Sequence, residues 1–216
     1  VTFSVENGQG GKLKGTCDGH PHTASGNTSV NLIVPHRRNV IFTATPAEGW
    51  AVDSWKVDGS EVPNHTDTRY TLSNVTDDKT VTVKFKKVYT VTFRVVYNQG
   101  GELRGTYGDQ TKIANYNNDG SEQEFTNVSN GSTVTFNAVP HGSVPSAWEI
   151  EGWTTSAGTL LGGGTGTTAT LTVTDNATVT VEFKKVTVVE GTNNLAWTLL
   201  QNAVKVADPN STITID

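Results

Sequence analysis

Three features of the 216-residue chain predict an all-β protein. Apolar residues alternate with polar ones in short runs, Thr, Val, Asn and Gly are abundant, and most patterns occur twice along the chain. Alternation places successive apolar side chains on one face of a strand. β-Branched residues fit a pleated sheet and lose rotamer freedom in a helix. The expected architecture is two tandem small antiparallel sheet modules, followed by a short amphipathic helix and strand.

The first copy opens on VTFSV, where Val1, Phe3 and Val5 share a face. NGQGG follows as a Gly-rich hairpin turn in which positive φ is expected. Val40, Phe42 and Ala44 line a later strand that ends at Pro46, and Trp50 and Trp55 sit on the next. TDDKT has turn chemistry, and Val81, Val83 and Phe85 close the unit.

The chain repeats itself, and self-similarity of this kind marks tandem structural units. VTFSVENGQGGKLKGT from Val1 returns as VTFRVVYNQGGELRGT from Val91, at an offset of 90. NVIFTATP returns as TVTFNAVP at an offset of 94. Trp50, Trp55 and NVTDDKTVTVKFKK return as Trp148, Trp153 and TVTDNATVTVEFKK at an offset of 98. The second copy keeps the alternation in Val91, Phe93 and Val95, in Val134, Phe136 and Ala138, and in Val179, Val181 and Phe183. The expected modules are residues 1–88 and 89–186, joined stiffly because only Lys87–Tyr89 separates them. Three segments, Cys17–Arg37, Tyr107–Gly131 and Ser156–Thr168, read as long loops.

The last residues, 187–216, differ in kind. Trp197, Leu200, Ala203, Val204 and Ala207 fall at helical spacing within Asn194–Ala207, then DPN interrupts and STITID reads as a strand. This is expected to be the start of a following domain. A helix with an unpartnered stripe is expected to cause weak self-association through the tail.

The ordered set VTFxV, GG, TVTFxAxP, Trp and VTVxFK is similar to the tandem divergent internalin B-repeat modules of bacterial cell-surface and secreted proteins. The resemblance covers Val1 to about Lys185. It implies a non-catalytic β-grasp-like or related sheet unit, an extracellular or cell-surface location, and a role as stalk, spacer or adhesive module with a host protein or glycan as partner. The tail's W-x-x-L-x-x-A-V-x-x-A followed by I-T-I resembles the cap of a right-handed parallel β-helix. That second likeness supports an alternative: a carbohydrate-binding module attached to a polysaccharide-active β-helix enzyme.

Composition excludes several classes. A net charge of −5 and a pI near 5.5 lack the concentrated basic face that nucleic acid requires. KFKK (Lys84–Lys87) reads as a solvated strand end. No apolar run approaches the ~20 residues of a membrane span, so no membrane insertion is expected. The chain has no Met, which predicts that it is cut from a longer protein, and its one cysteine cannot form an internal disulfide.

Cys17, Asp18, His20 and His22 put metal-ligand chemistry into six residues. The matching TYGDQTK carries Tyr107 for Cys17 and no histidine, so a solvated loop and no metal or other cofactor are expected. His36 joins only if the loop folds back. On an uninterrupted strand, a spacing of five puts paired tryptophans on opposite faces. Trp55 and Trp153 are then expected in the core, with Trp50 and Trp148 nearer the surface as candidate ligand-stacking residues, although packing is the primary expectation. Neither G-x-S-x-G nor H-E-x-x-H occurs. Glu149 and Glu151 read as two carboxylates on one strand face without a cleft, and no catalysis is expected. N-x-S/T sequons occur at Asn64 and Asn74.

Overall fold

The computed structural model describes residues 1–96, 100–115, 122–142 and 147–186. The expected tail helix and strand lie outside the described residues. The first module contains β1 (Thr2–Val5), β2 (Gly11–Cys17), β3 (His20–Ser25), β4 (Ser29–Asn31), β5 (Val40–Pro46), β6 (Trp50–Val57), β7 (Ser60–Glu61) and β8 (Arg69–Leu72). It is closed by the first half of β9 (Thr80–Val95), whose second half opens the next module. That module continues through β10 (Gly101–Tyr107), β11 (Gln110–Asn115), β12 (Gln123–Ser129), β13 (Thr133–Pro140), β14 (Trp148–Thr155), β15 (Thr159–Gly162), β16 (Thr168–Thr172) and β17 (Ala177–Lys185).

The protein is all-β, as the alternation predicts. Each module is a pair of facing sheets: β6-β9-β1-β4 over β3-β2-β5-β8, and β14-β17-β9-β12 over β11-β10-β13-β16-β15. The ladders are antiparallel apart from β1·β9 and β9·β17, which are parallel. A parallel pair needs a long crossover, and here the remainder of each module supplies it.

The expected hairpin at NGQGG is not formed, because β1 pairs with β4 and β9 while β2 pairs with β3 and β5. The Gly-rich segment instead carries the chain from one sheet to the facing one. Its glycines are selected by space: a β-carbon on Gly10 would come within 2.5 Å of Trp50, and one on Gly11 within 2.5 Å of the Thr45 carbonyl oxygen. Gly10 adds positive φ (86°), but no such conformation occurs at Gly100 or Gly101.

Each of the three expected loops carries strand. Cys17–Arg37 holds β3 and β4, Tyr107–Gly131 holds β11 and β12, and Ser156–Thr168 holds β15. β3, β4, β11 and β15 lie at sheet edges with few side chains buried, so they need no apolar alternation and leave no periodic signal, while β12 buries Phe125 and Val128 across a bulge that breaks the period.

The two cores are built alike. Phe3 meets Phe42 edge-on at 5.5 Å between centroids, and Phe93 meets Phe136 in the same way at 5.5 Å. Gly15 and Gly105, each in mid-strand, admit the Phe3 and Phe93 rings. Val81, Val83 and Phe85 of β9 enter the first core, and Val91, Phe93 and Val95 enter the second. Full burial of such a side chain is worth about 1.5–3 kcal/mol, and this burial is the main source of stability in a chain without disulfides.

Candidate functional site

Cys17, Asp18, His20 and His22 form a tight hairpin. Asp18 (φ 47°) and Gly19 (φ 82°) are a two-residue turn between β2 and β3, pairing Cys17 with His20 and Gly15 with His22. Asp-Gly is a strong local signal for such a turn, and it marks the hairpin within the sequence CDGHPH. The pairing brings Cys17, His20 and His22 to one side, where with Asp18 they line a hollow of about 300 Å³. Asp18 lies 3.6 Å from Arg38. Cys17 is buried, and that burial, followed by the charge of Asp18, pushes its thiol above the ordinary range. A thiol so held is a poor source of thiolate. Among the described residues, no three His, Cys, Asp or Glu side chains converge as a metal would require. His36 is exposed and lines a different groove.

The second module shows why the first has a hollow there. Tyr107 stands in the place of Cys17, packs 6.1 Å from Phe125, and accepts a hydrogen bond from the Ser129 N–H through Oη. Lys112, in the place of His22, lies 5.5 Å from the Phe125 ring and donates to the Glu124 carbonyl. Cys17, His22 and Leu32 are smaller or shorter, and the space stays open. Pro35 takes the position of Ser129 and has no N–H to satisfy.

The tryptophans depart from the expectation of opposite faces. Trp50 pairs with Lys87, Val52 with Phe85, Trp55 with Val83 and Val57 with Val81, with a bulge between Val52 and Ser54. The second module repeats this with a bulge between Ile150 and Gly152. One extra residue in the strand turns a spacing of five into an even step on the pleat, so both members of each pair face the core. The phase change was legible as W-x-V-x-x-W and W-x-I-x-x-W. The bulge residues are Asp53, which lies 2.8 Å from Lys84, and Glu151. Glu149 lies 3.4 Å from Lys184, and both Glu149 and Glu151 are exposed.

Trp55 is fully buried, among Phe42, His65 and Tyr70, and its Nε1–H donates to the Asp67 carbonyl at 2.9 Å. Trp153 makes the matching bond to the Gly166 carbonyl at 2.9 Å but is only half-buried. The expectation of full burial fails there because Ala169 replaces Tyr70 as the partner of the core phenylalanine, and Gly163, without a side chain, lies over the indole. Trp50 and Trp148 are half-buried. Gly10 and Gly100 press on their rings, and Lys87 and Lys185 reach over them at 5.9 and 5.6 Å. The Lys-rich strand ends therefore cover aromatic surface as well as meeting solvent. Asn64 (φ 54°) and Asn74 (φ 52°) both occupy left-handed turn positions, which suits asparagine.

The pilus adhesin SpaC from Lactobacillus rhamnosus GG is similar over 86% of this chain and 31% of its own, at 12% identity and a TM-score of 0.30. A C-terminal fragment of that adhesin is matched over 88% of this chain and 99% of its own, at 11% identity and a TM-score of 0.31. The major pilin from Streptococcus pyogenes is matched over 86% of this chain and 97% of its own, at 12% identity and a TM-score of 0.28. The chain thus spans 31% of the length of the longer adhesin chain. A search of curated proteins returns no match. The family model of the divergent InlB B-repeat domain matches residues 1–89 and 110–187. Those two stretches make up most of the chain, and the protein belongs to the divergent InlB B-repeat domain family.

Proposed function

We propose that this chain is a non-catalytic structural or adhesive repeat region of a bacterial cell-surface or secreted protein, in which two modules, residues 1–88 and 89–186, act as a stiff spacer. The observation that carries this reading is β9. Thr80–Val95 is one strand, held on its first half by β1 and β6 and on its second by β12 and β17. No loop separates the modules, and Val88 between them is buried, with its N–H bonded to the Gly49 carbonyl at 2.9 Å. Family membership supports the surface setting. A host protein or glycan is the partner class this role implies.

Trp50 and Trp148 enter the reading as packing residues. A sugar stacked on either ring would have to displace the lysine ammonium above it, and the glycine backbone already occupies part of the ring surface.

Small-angle scattering of the full chain tests the spacer. Inserting Gly-Gly-Ser-Gly between Lys87 and Val88 is expected to broaden the distance distribution relative to the native chain. Identical distributions for the two proteins would sink the stiff-spacer reading.

A further inference from the structure

The two modules differ at one edge. In the second, β12 continues past the start of its own module and pairs with the incoming half of β9: Val128 with Tyr89 and Ser129 with Val88. The Asn130 N–H then donates to the Lys87 carbonyl at 3.1 Å. Thr90, just ahead of Val91, donates its N–H to Asn176 Oδ1 at 2.8 Å.

The first module carries the same apparatus without an occupant among the described residues. Its equivalent positions are fixed by matching backbone bonds: Arg37 N–H to Val75 C=O corresponds to Gly131 N–H to Val173 C=O, both at 2.8 Å. Val75 N–H to Arg38 C=O corresponds in turn to Val173 N–H to Ser132 C=O. Val34, Pro35 and His36 therefore stand where Val128, Ser129 and Asn130 stand, and Asp78 stands where Asn176 stands. β1 and β4 stay paired as far as Leu32, whose N–H bonds to the Val1 carbonyl at 2.9 Å. Beyond that point Ile33 is 93% exposed, and a groove of about 830 Å³ lies between Ile33–His36 and Val75–Lys79. Pro35 fits an acceptor edge, because the N–H of its counterpart Ser129 turns away from β9 to Tyr107 Oη. A proline there removes no ladder bond.

We propose that Ile33–His36 and Asp78 form an acceptor for the closing strand of another repeat of this kind, running directly into Val1 as β9 runs into Val91. The strand adds to the free edge through main-chain hydrogen bonds. The Asp78 carboxylate takes the N–H of the residue immediately ahead of Val1, a charge-assisted version of the Asn176 bond. The proposal stands on the junction geometry and not on the stiffness of β9, so either can fail alone.

The test extends the full chain at its N-terminus with KFKKVYT, the sequence of Lys84–Thr90, fused directly to Val1, and compares it with a Gly-Ser extension of equal length. Hydrogen exchange at the His36 amide is expected to slow at least about tenfold with the strand extension only, since a paired edge amide exchanges through local opening. D78A is expected to lower the melting temperature of the strand-extended chain. Equal His36 exchange in the two extended chains overturns the proposal, and an unchanged melting temperature on D78A in the strand-extended chain overturns its side-chain half.

Discussion

Gly100 lies against Trp148 so closely that a β-carbon on it would overlap the indole Nε1 and Cδ1. Gly100→Ala is therefore expected to destabilise the second module by about 1–3 kcal/mol, the usual cost of overpacking. A loss of 1 kcal/mol lowers the melting temperature of a domain this size by about 4–8 °C. Gly10→Ala should cost more, because Gly10 also holds a φ of 86° that a side chain resists. Thermal melts that leave Gly100→Ala at the native value would show that Trp148 moves aside freely.

Lys185 over Trp148 and Lys87 over Trp50 are expected to contribute as cation–π pairs. Lys185→Ala should cost about 0.5–1 kcal/mol in the native background and much less beside Trp148→Phe. Chemical denaturation of the four proteins of that double-mutant cycle gives the coupling directly, and a coupling of zero would reduce the pair to coincidence.

Tyr107→Phe removes the acceptor for the Ser129 N–H. The expected loss is about 0.5–1.5 kcal/mol, read from the denaturant midpoint of the second module. Cys17→Ala, at the equivalent place, removes no such bond and tests whether the hydroxyl or the side-chain bulk matters.

Asp58 Oδ2 accepts from Lys79 Nζ at 2.8 Å and Oδ1 from the Thr80 N–H at 2.9 Å. The Lys79 bond first, then the Thr80 N–H, hold its carboxyl below the ordinary value. With the folded pKa depressed, the stabilising contribution is present above the unfolded value, about 3.9, and is lost as pH falls through the lower folded value. The native protein should lose stability as pH falls below the ordinary carboxylate value of about 3.9, and Asp58→Asn should lose less. Carboxyl shifts followed by NMR that place Asp58 at or above the ordinary range would contradict this.

The repeat and the principal core strands were legible because Val1, Phe3 and Val5, and their later counterparts, each hide one face of a pleat. What alternation cannot register are edge strands such as β3 and β15, where neither face is fully covered. The Asp18-Gly19 turn was readable on its own chemistry, since Asp-Gly favours the positive φ that both residues adopt. The face of Trp50 relative to Trp55 depended on a single extra residue, Asp53, visible only as a slip in the apolar rhythm. The open hollow beside Cys17 had no sequence signature, since it arises from what Tyr107 and Lys112 fill elsewhere. Sheet partners were the least legible: nothing in VTFSV says that β1 runs parallel to β9.

The shared strand also sets a counting rule. The residues that β9 supplies to the two core clusters are odd-numbered, from Val81 to Val95, with the buried Val88 in neither, so the two cores are in phase along one pleat. One residue added or lost between Phe85 and Val91 would invert the side chains of one half relative to the other, and only an even change keeps both stripes turned to their cores. Insertions and deletions in this junction are thus filtered by parity, a constraint that a flexible linker would never impose.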